Sequence, residues 1–103
     1  MSKIDELIHQ PIRLRLMAAL VALRPSEQMD FSWLRDLLEV TDGNLGAHLL
    51  KLGNAGYINV EKTFVGRRPK TFLSSTDKGR AAFHENVEAL KEIIAGTERP
   101  QAG

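Results

Sequence analysis

Apolar residues return every three or four positions along much of the chain, which is the spacing of one face of an α-helix. The first helix with this pattern is predicted to begin near Pro11, because proline suits the first helical turn, and to end at Pro25. Its apolar side consists of Ile12, Leu16, Leu20 and Leu23, with Met17 and Val21 beside them.

Two further helices follow in close succession. Ser32 is a favourable N-cap for a short amphipathic helix that ends near residue 40, and Thr41 is the N-cap candidate of the next helix. Gly56 fits the left-handed C-terminal stop of this third helix. Two helices joined by so tight a turn form a helix-turn-helix, here over about residues 32–56. The leucines that share the buried face of the third helix are Leu45, Leu49 and Leu52.

Three other segments have the composition of strands. Residues 29–31 predict a short strand, and residues 57–64 are rich in β-branched and aromatic side chains. Gly66 and Pro69 mark a loop, after which residues 70–74 form the returning strand. The pattern therefore predicts a β-hairpin, the wing, over about residues 57–75.

A last helix is predicted between the cap Thr76 and a stop at Gly96. Its apolar positions are spaced four, three and four residues apart, which is a heptad-like seam. A small domain does not need so wide a seam for its own core, so this helix, at about residues 77–95, is expected to pair with the same helix of a second copy. The seam consists of Phe83, Val87, Leu90 and Ile94.

Length and composition are those of one globular domain of 103 residues, predicted at residues 1–96, with a flexible tail at 97–103. The chain has no cysteine, which excludes disulfides and thiolate metal sites and favours a reducing cytoplasm. Acids at the N-terminus and the short apolar run at 16–23 predict neither a signal peptide nor a membrane span. The predicted fold class is mainly α with a small antiparallel β-wing: a winged helix-turn-helix with a C-terminal dimerisation helix.

The formal net charge is only +1, but the charges are segregated along the chain. Residues 43–75 contain five basic residues and one acid, whereas the segments on either side each carry a small excess of acids. A local basic surface can attract a polyanion although the whole protein is nearly neutral. The third helix and the wing are therefore the predicted site of contact with nucleic acid.

The outward face of the third helix supplies the candidates for DNA contact. Asn44 is the best candidate to contact a base, since an asparagine amide can pair with adenine, but it could equally complete the helix cap. Lys51 suits a phosphate. Packing or hydrogen bonding within the protein is the favoured interpretation of His48, which lies at the edge of this face. The complete set of candidates on this helix is Thr41, Asn44, Ala47, His48 and Lys51.

The wing supplies four basic candidates. Arg67 and Arg68 stand at the predicted turn, where two guanidinium groups suit phosphates or a narrow minor groove. Lys62 and Lys70 flank them on the two strands. The alternative is a solvated basic loop without a partner; the coincidence with the helix-turn-helix favours DNA.

Other chemistry is not indicated. His84 and Glu88 lie one helical turn apart and could contribute to a metal site between two copies, but surface or interface roles are favoured because no cysteine or second histidine accompanies them. No catalytic set, phosphate-binding loop or dinucleotide motif is present. We therefore expect no enzyme and no cofactor.

Seven short motifs follow one another in a characteristic order: Phe31-Ser32-Trp33-Leu34, Thr41-Asp42-Gly43-Asn44-Leu45, His48-Leu49, Lys51-Leu52, Ala55-Gly56-Tyr57-Ile58, Gly66-Arg67-Arg68-Pro69-Lys70-Thr71 and Thr76-Asp77-Lys78-Gly79-Arg80-Ala81. In this order they resemble the motifs of winged-helix transcriptional regulators of the MarR and ArsR type. The resemblance covers residues 11–90 and implies a homodimer that binds pseudo-palindromic double-stranded DNA, usually as a repressor. It also allows an unknown small-molecule effector.

The third helix departs from the pattern of these regulators at three positions. They usually have polar or basic residues where this chain has Gly46, Ala47 and Leu50. Ala47 could touch a thymine methyl group, but Leu50 is out of place against phosphates. A second hypothesis is therefore a winged-helix module for protein–protein interaction with little affinity for DNA.

Overall fold

Eight elements make up the computed structural model, which describes residues 2–97. They are α1 (Glu6–His9), α2 (Pro11–Val21), β1 (Met29–Asp30), α3 (Phe31–Leu38), α4 (Asp42–Asn54), β2 (Ile58–Val65), β3 (Arg68–Ser75) and α5 (Asp77–Thr97). The predicted order of three helices, a hairpin and a last helix is confirmed, and the short α1 is added to it. The fold is a winged helix with a small three-stranded antiparallel sheet.

Several predicted caps and stops are confirmed. The side chain of Thr41 accepts a hydrogen bond from the backbone N–H of Asn44 at 3.1 Å and begins α4. Gly56, with φ of 78°, follows α4 in the left-handed conformation. Thr76 Oγ1 accepts from the N–H of Gly79 at 2.9 Å and donates to the carbonyl of Gly56 at 2.6 Å, so it joins the start of α5 to the end of α4.

Two predicted boundaries of the first helices are wrong. Helix α2 ends at Val21, four residues before Pro25. The N-cap of α3 is Asp30 and not Ser32, because the Asp30 carboxylate accepts from the N–H of Trp33 at 3.2 Å. Asp30 is also the last residue of β1, so its extended backbone already has the conformation that an N-cap requires.

Two later boundaries also differ from the prediction. The turn of the wing lies at Gly66, with φ of 64°, and Arg67, while Pro69 stands inside β3 opposite Phe64. Gly96 does not end α5, which continues to Thr97. Glycine weakens a helix but can adopt the helical conformation. The tail predicted at 97–103 lies outside the described residues apart from Thr97.

The sheet has the order β1–β3–β2, and both strand pairs are antiparallel. The hairpin is in continuous register from Ile58 opposite Ser75 to Val65 opposite Arg68. Only the end of the hairpin next to the helices contributes buried side chains, Ile58 and Leu73. The far end, including the turn, projects away from the core and is exposed.

The core lies between the helices and the near end of the sheet. The three leucines predicted for the buried face of α4 are all buried, and α1 adds a residue that is fully buried. Burial of such large apolar side chains, each stabilising by roughly 1.5–3 kcal/mol, is the main force that holds the elements of the domain together. The core comprises Ile8, Leu16, Met17, Leu20, Leu34, Leu38, Leu45, Leu49, Leu52, Ile58 and Leu73.

Helix α5 packs against the domain through small residues. Gly79, Asn86 and Ala89 are its buried positions, and a side chain at Gly79 would overlap the backbone carbonyl of Tyr57. Phe83 of the predicted seam packs partly against the core, whereas Ile94 is 60% exposed. No helix in the described part of the chain is long and apolar enough to cross a membrane.

Asp5 connects the N-terminal segment to Tyr57, just before β2, and to Asn86 on α5. Its Oδ1 accepts from the N–H groups of Leu7 and Ile8 and caps α1, and its Oδ2 accepts from the Tyr57 hydroxyl at 2.6 Å. Its own N–H donates to Oδ1 of the buried Asn86 at 2.8 Å. The hydrogen bond to Asp5, together with burial, raises the pKa of Tyr57 to about 12.

Candidate nucleic-acid interface

The first turn of α4 presents an unobstructed polar surface. Thr41 and Asn44 are both exposed, and it is the Thr41 hydroxyl that caps the helix. The side chain of Asn44 makes no hydrogen bond within residues 2–97, so it is not engaged in capping and can reach a ligand. Ala47 and Lys51, one and two turns further on, are exposed as well.

Salt bridges hold the turn between α3 and α4. Arg35 lies 2.8 Å from the carboxylate of Asp42 and 3.0 Å from that of Asp36. The hydrogen bonds to these two carboxylates, first that to Asp42, raise the pKa of Arg35. Arg35 therefore links α3 to the start of α4, and the carboxylates of Asp36 and Asp42 neutralise its positive charge.

His48 makes its contact inside the protein. Nη1 of Arg13 lies 3.1 Å from Nδ1 of His48, and Nε of Arg13 donates to the carbonyl of Leu7. Burial, followed by the nearby charges of Arg13 and Lys51, lowers the pKa of His48. This geometry supports the favoured interpretation of His48 as a packing residue that connects α2 to α4.

The four wing cations do not share one environment. Arg67 and Arg68 are exposed at the turn. Lys62 extends from the face of β2 that looks toward α4, whereas Lys70 lies 3.6 Å from the carboxylate of Asp30. The two arginines and Lys62 are thus the wing cations that the structure leaves available to a polyanion.

A groove of about 670 Å³ separates α4 from the wing. Sequence reasoning identified Leu50 as an unusual outward residue, but it missed the groove and the apolar residues of β2 beside it. The available signal was the alternation along β2, which places Val60, Lys62 and Phe64 on the same face as the buried Ile58. The side chains that line the groove include Phe31, Leu49, Leu50, Val60, Lys62 and Thr71.

Comparison with known proteins gives the same architecture. An uncharacterized protein of Methanocaldococcus jannaschii is 31% identical over 93 residues, which are 90% of this chain and 98% of that protein. The solved structure of a transcriptional regulator homologue from Pyrococcus horikoshii superposes with a TM-score of 0.80 at 28% identity, and the match covers 92% of this chain and 91% of that one.

The winged-helix fold is shared with a solved regulator of the MarR family. AbsC of Streptomyces coelicolor, a MarR family transcriptional regulator, superposes with a TM-score of 0.62 at 16% identity over 84% of this chain and 60% of its own. The family model described as winged helix DNA-binding domain matches residues 12–94. With four-fifths of its length matched by that model, the chain belongs to the family of winged helix DNA-binding domains.

Proposed function

We propose that the protein is a transcriptional regulator, acting as a repressor, that binds double-stranded DNA as a homodimer. The observation that carries this proposal is the placement of two exposed groups on one acid-poor segment: the first turn of α4 with Asn44, and the wing tip with Arg67 and Arg68. Family membership supports binding to DNA; the dimer, the repression and the contact residues are our inference.

In the proposed complex α4 enters the major groove with its N-terminal end leading. Residues at this end of a helix reach base edges, so Asn44 pairs with a base and Ala47 contacts a thymine methyl group. Thr41 and Lys51 contact the backbone on either side. Since the N-terminal end of α4 offers a single side-chain amide to the bases, that of Asn44, we expect modest discrimination between sequences.

The wing supplies most of the affinity in this proposal. Arg67 and Arg68 project from the turn of the hairpin, where they can contact phosphates or enter the minor groove beside the bound helix. Lys62 adds a further cation on the side that faces α4. Lys70 contributes less, because its ammonium group already has Asp30 as a partner.

A second copy would pair through α5. The end of this helix beyond Ala89 exposes Ile93 and Ile94, at 52% and 60%; Ile94 is the last position of the predicted seam, and Ile93 is its neighbour in the chain. Exposed isoleucines on a helix of 21 residues favour burial against a partner helix. Two α4 helices related in this way should lie about one turn of DNA apart, roughly 34–36 Å.

The proposal is tested by DNA binding over a series of salt concentrations. Bound sequences are first selected from random duplex DNA, and the affinity for the selected site is then measured between about 50 and 200 mM salt. Each phosphate neutralised contributes about −0.9 to the slope of log K against log salt. The double variant Arg67→Ala/Arg68→Ala should therefore have a slope shallower by about 1.8.

The matched control removes two positive charges elsewhere. Lys3→Ala/Arg24→Ala changes the net charge by the same amount, but Lys3 precedes α1, and Arg24 follows α2 beside Ser74 and Ser75, at the end of the hairpin opposite its turn. Its salt slope should equal that of the wild type. An unchanged slope in the arginine variant would remove the wing from the interface, and failure to select any duplex would refute the proposed function.

A further inference from the structure

The groove between α4 and the wing has more apolar surface than a DNA contact requires. On the α4 side, Leu50 is 65% exposed, and on the β2 side, Val60 is 43% exposed. Phe64 lies two residues beyond Lys62 on the same face of β2 and is 70% exposed. Leu50 and Val60 line the groove of about 670 Å³, and Phe64 lies beyond its lining toward the tip of the wing. We call the groove together with Phe64 the α4–wing groove.

The charges around the α4–wing groove have a single sign. Lys62 is the one charged residue among the described residues that line the groove, and no aspartate or glutamate of the described part of the chain lines it. Glu61, the one acid between residues 43 and 75, points to the opposite face of the sheet, where it accepts from the Gln28 amide at 2.6 Å. Beyond the groove, the wing ends in Arg67 and Arg68. The surface is thus apolar in its centre and basic along its rim.

DNA matches only part of this surface. Its phosphates complement the basic rim. The apolar groups that it offers in the major groove, chiefly the thymine methyl group, are too small to cover a leucine, a valine and a phenylalanine together. A segment of protein with bulky apolar side chains can bury all three, and acidic residues beside them would pair with the rim.

We propose that the α4–wing groove binds an acidic segment of another protein that carries bulky apolar side chains. The apolar side chains of the segment lie against Leu50, Val60 and Phe64, and its carboxylates face Lys62 and the arginines of the wing tip. Because the same cations are those proposed to contact phosphates, the segment and DNA exclude one another. Binding of the segment depends only on the α4–wing groove, whereas competition between the segment and DNA rests on the proposed function.

The groove is tested with a random dodecapeptide library displayed on phage and selected on the full-length wild-type protein. Selected peptides should be enriched in aspartate and glutamate together with leucine, phenylalanine or tryptophan. One selected peptide, synthesised with a fluorescent label, is then titrated by anisotropy. Leu50→Ser/Phe64→Ser should weaken its binding at least about tenfold, since it truncates two of the three bulky apolar side chains proposed as anchors, and a few such anchors carry most of the binding energy of an interface.

The matched control is Leu37→Ser/Val65→Ser. It also removes one exposed leucine from a helix and one exposed apolar side chain from β2, but Leu37 lies on α3 and Val65 points to the other face of the wing. Its affinity for the peptide should equal that of the wild type. Circular dichroism of both variants at the same temperature verifies that each remains folded.

Each outcome of the experiment is decisive. Peptides without an acidic excess, equal affinity of the groove variant and the wild type, or no enrichment would overturn the proposal. Displacement of the peptide by the selected duplex supports the competition, and simultaneous binding of both overturns it. If the peptide binds as expected while no duplex does, the groove stands and the proposed function fails; if only DNA binds, the reverse holds.

Discussion

Nη1 of Arg13 on α2 lies 3.1 Å from Nδ1 of His48 on α4, and this contact ties the proposed recognition helix to the body of the domain. A guanidinium group has donors and no acceptor, so Nδ1 of His48 must accept and cannot carry a proton. Burial of the ring, then the charges of Arg13 and Lys51, lower the pKa of His48. The folded protein therefore favours the neutral form of His48.

Acid should weaken the fold through this contact. Because the pKa of His48 is lowered in the folded protein, the unfolded chain takes up the proton first, so the stabilisation is complete above the ordinary value of 6.5 and is lost as the pH falls below it. We expect the urea midpoint to fall more steeply between about pH 7 and about pH 5 in the wild type than in His48→Asn, which has no group to protonate.

The control is His9→Asn, which removes an exposed histidine and leaves the contact between Arg13 and His48 in place. Its pH dependence should follow the wild type. A titration of His48 by NMR that gave a pKa above 6.5 would contradict the prediction, since the folded protein would then favour the protonated ring.

Gly79→Ala should be strongly destabilising. A Cβ at this position would overlap the backbone carbonyl of Tyr57, which cannot move aside as a flexible side chain can. We expect a loss of about 1–3 kcal/mol or more in the free energy of unfolding, measured by urea denaturation. Gly46→Ala is the matched control: nothing lies within 4 Å of its Cβ position, and alanine in a helix should add about 0.5–1 kcal/mol. A Gly79→Ala protein as stable as the wild type would contradict this packing.

Thr41 and Asn44 should separate the stability of the fold from the discrimination between DNA sequences. Thr41→Ala removes the hydroxyl that caps α4 and should cost about 1 kcal/mol in the free energy of unfolding. Asn44→Ala leaves that cap intact, so its stability should be unchanged, but its preference for the selected site over random duplex should fall by about 1–3 kcal/mol. Equal preference in Asn44→Ala and the wild type would show that this amide contacts no base.

Ile94→Glu should dissociate the proposed homodimer. Since Ile94 is 60% exposed in the single chain, the substitution leaves the fold intact while placing a charge in the seam between two copies. Sedimentation equilibrium should show a dimer for the wild type and at least about a tenfold weaker association for the variant. Ala81→Glu, an exposed position on the other side of α5 from Phe83, should associate like the wild type. A monomeric wild type at tens of micromolar would refute the dimer.

The parts of the fold that were predicted correctly depend on local signals. Thr41 caps α4, Gly56 ends the same helix with positive φ, and the leucines at spacings of four and three lie in the core. Each of these features is decided by residues within a turn or two of one another, so the hydrogen-bonding groups and the apolar period of the sequence suffice. The basic turn of the wing follows in the same way from adjacent residues.

The partners of several polar and charged side chains could not be predicted, because they depend on contacts between distant parts of the chain. Asp30 rather than Ser32 caps α3 because it ends a strand that pairs with β3. The same carboxylate forms a salt bridge with Lys70, and Arg13 contacts the ring of His48. Both contacts join residues that are far apart in the chain.

The α4–wing groove likewise requires two elements to be placed side by side. A winged helix with a basic face could be predicted from the sequence alone, because the caps, turns, apolar periods and charge runs that indicate it are local. The partners of individual charges and the shape of the surface between α4 and β2 depend on how the elements pack, which is why only the folded protein could show them.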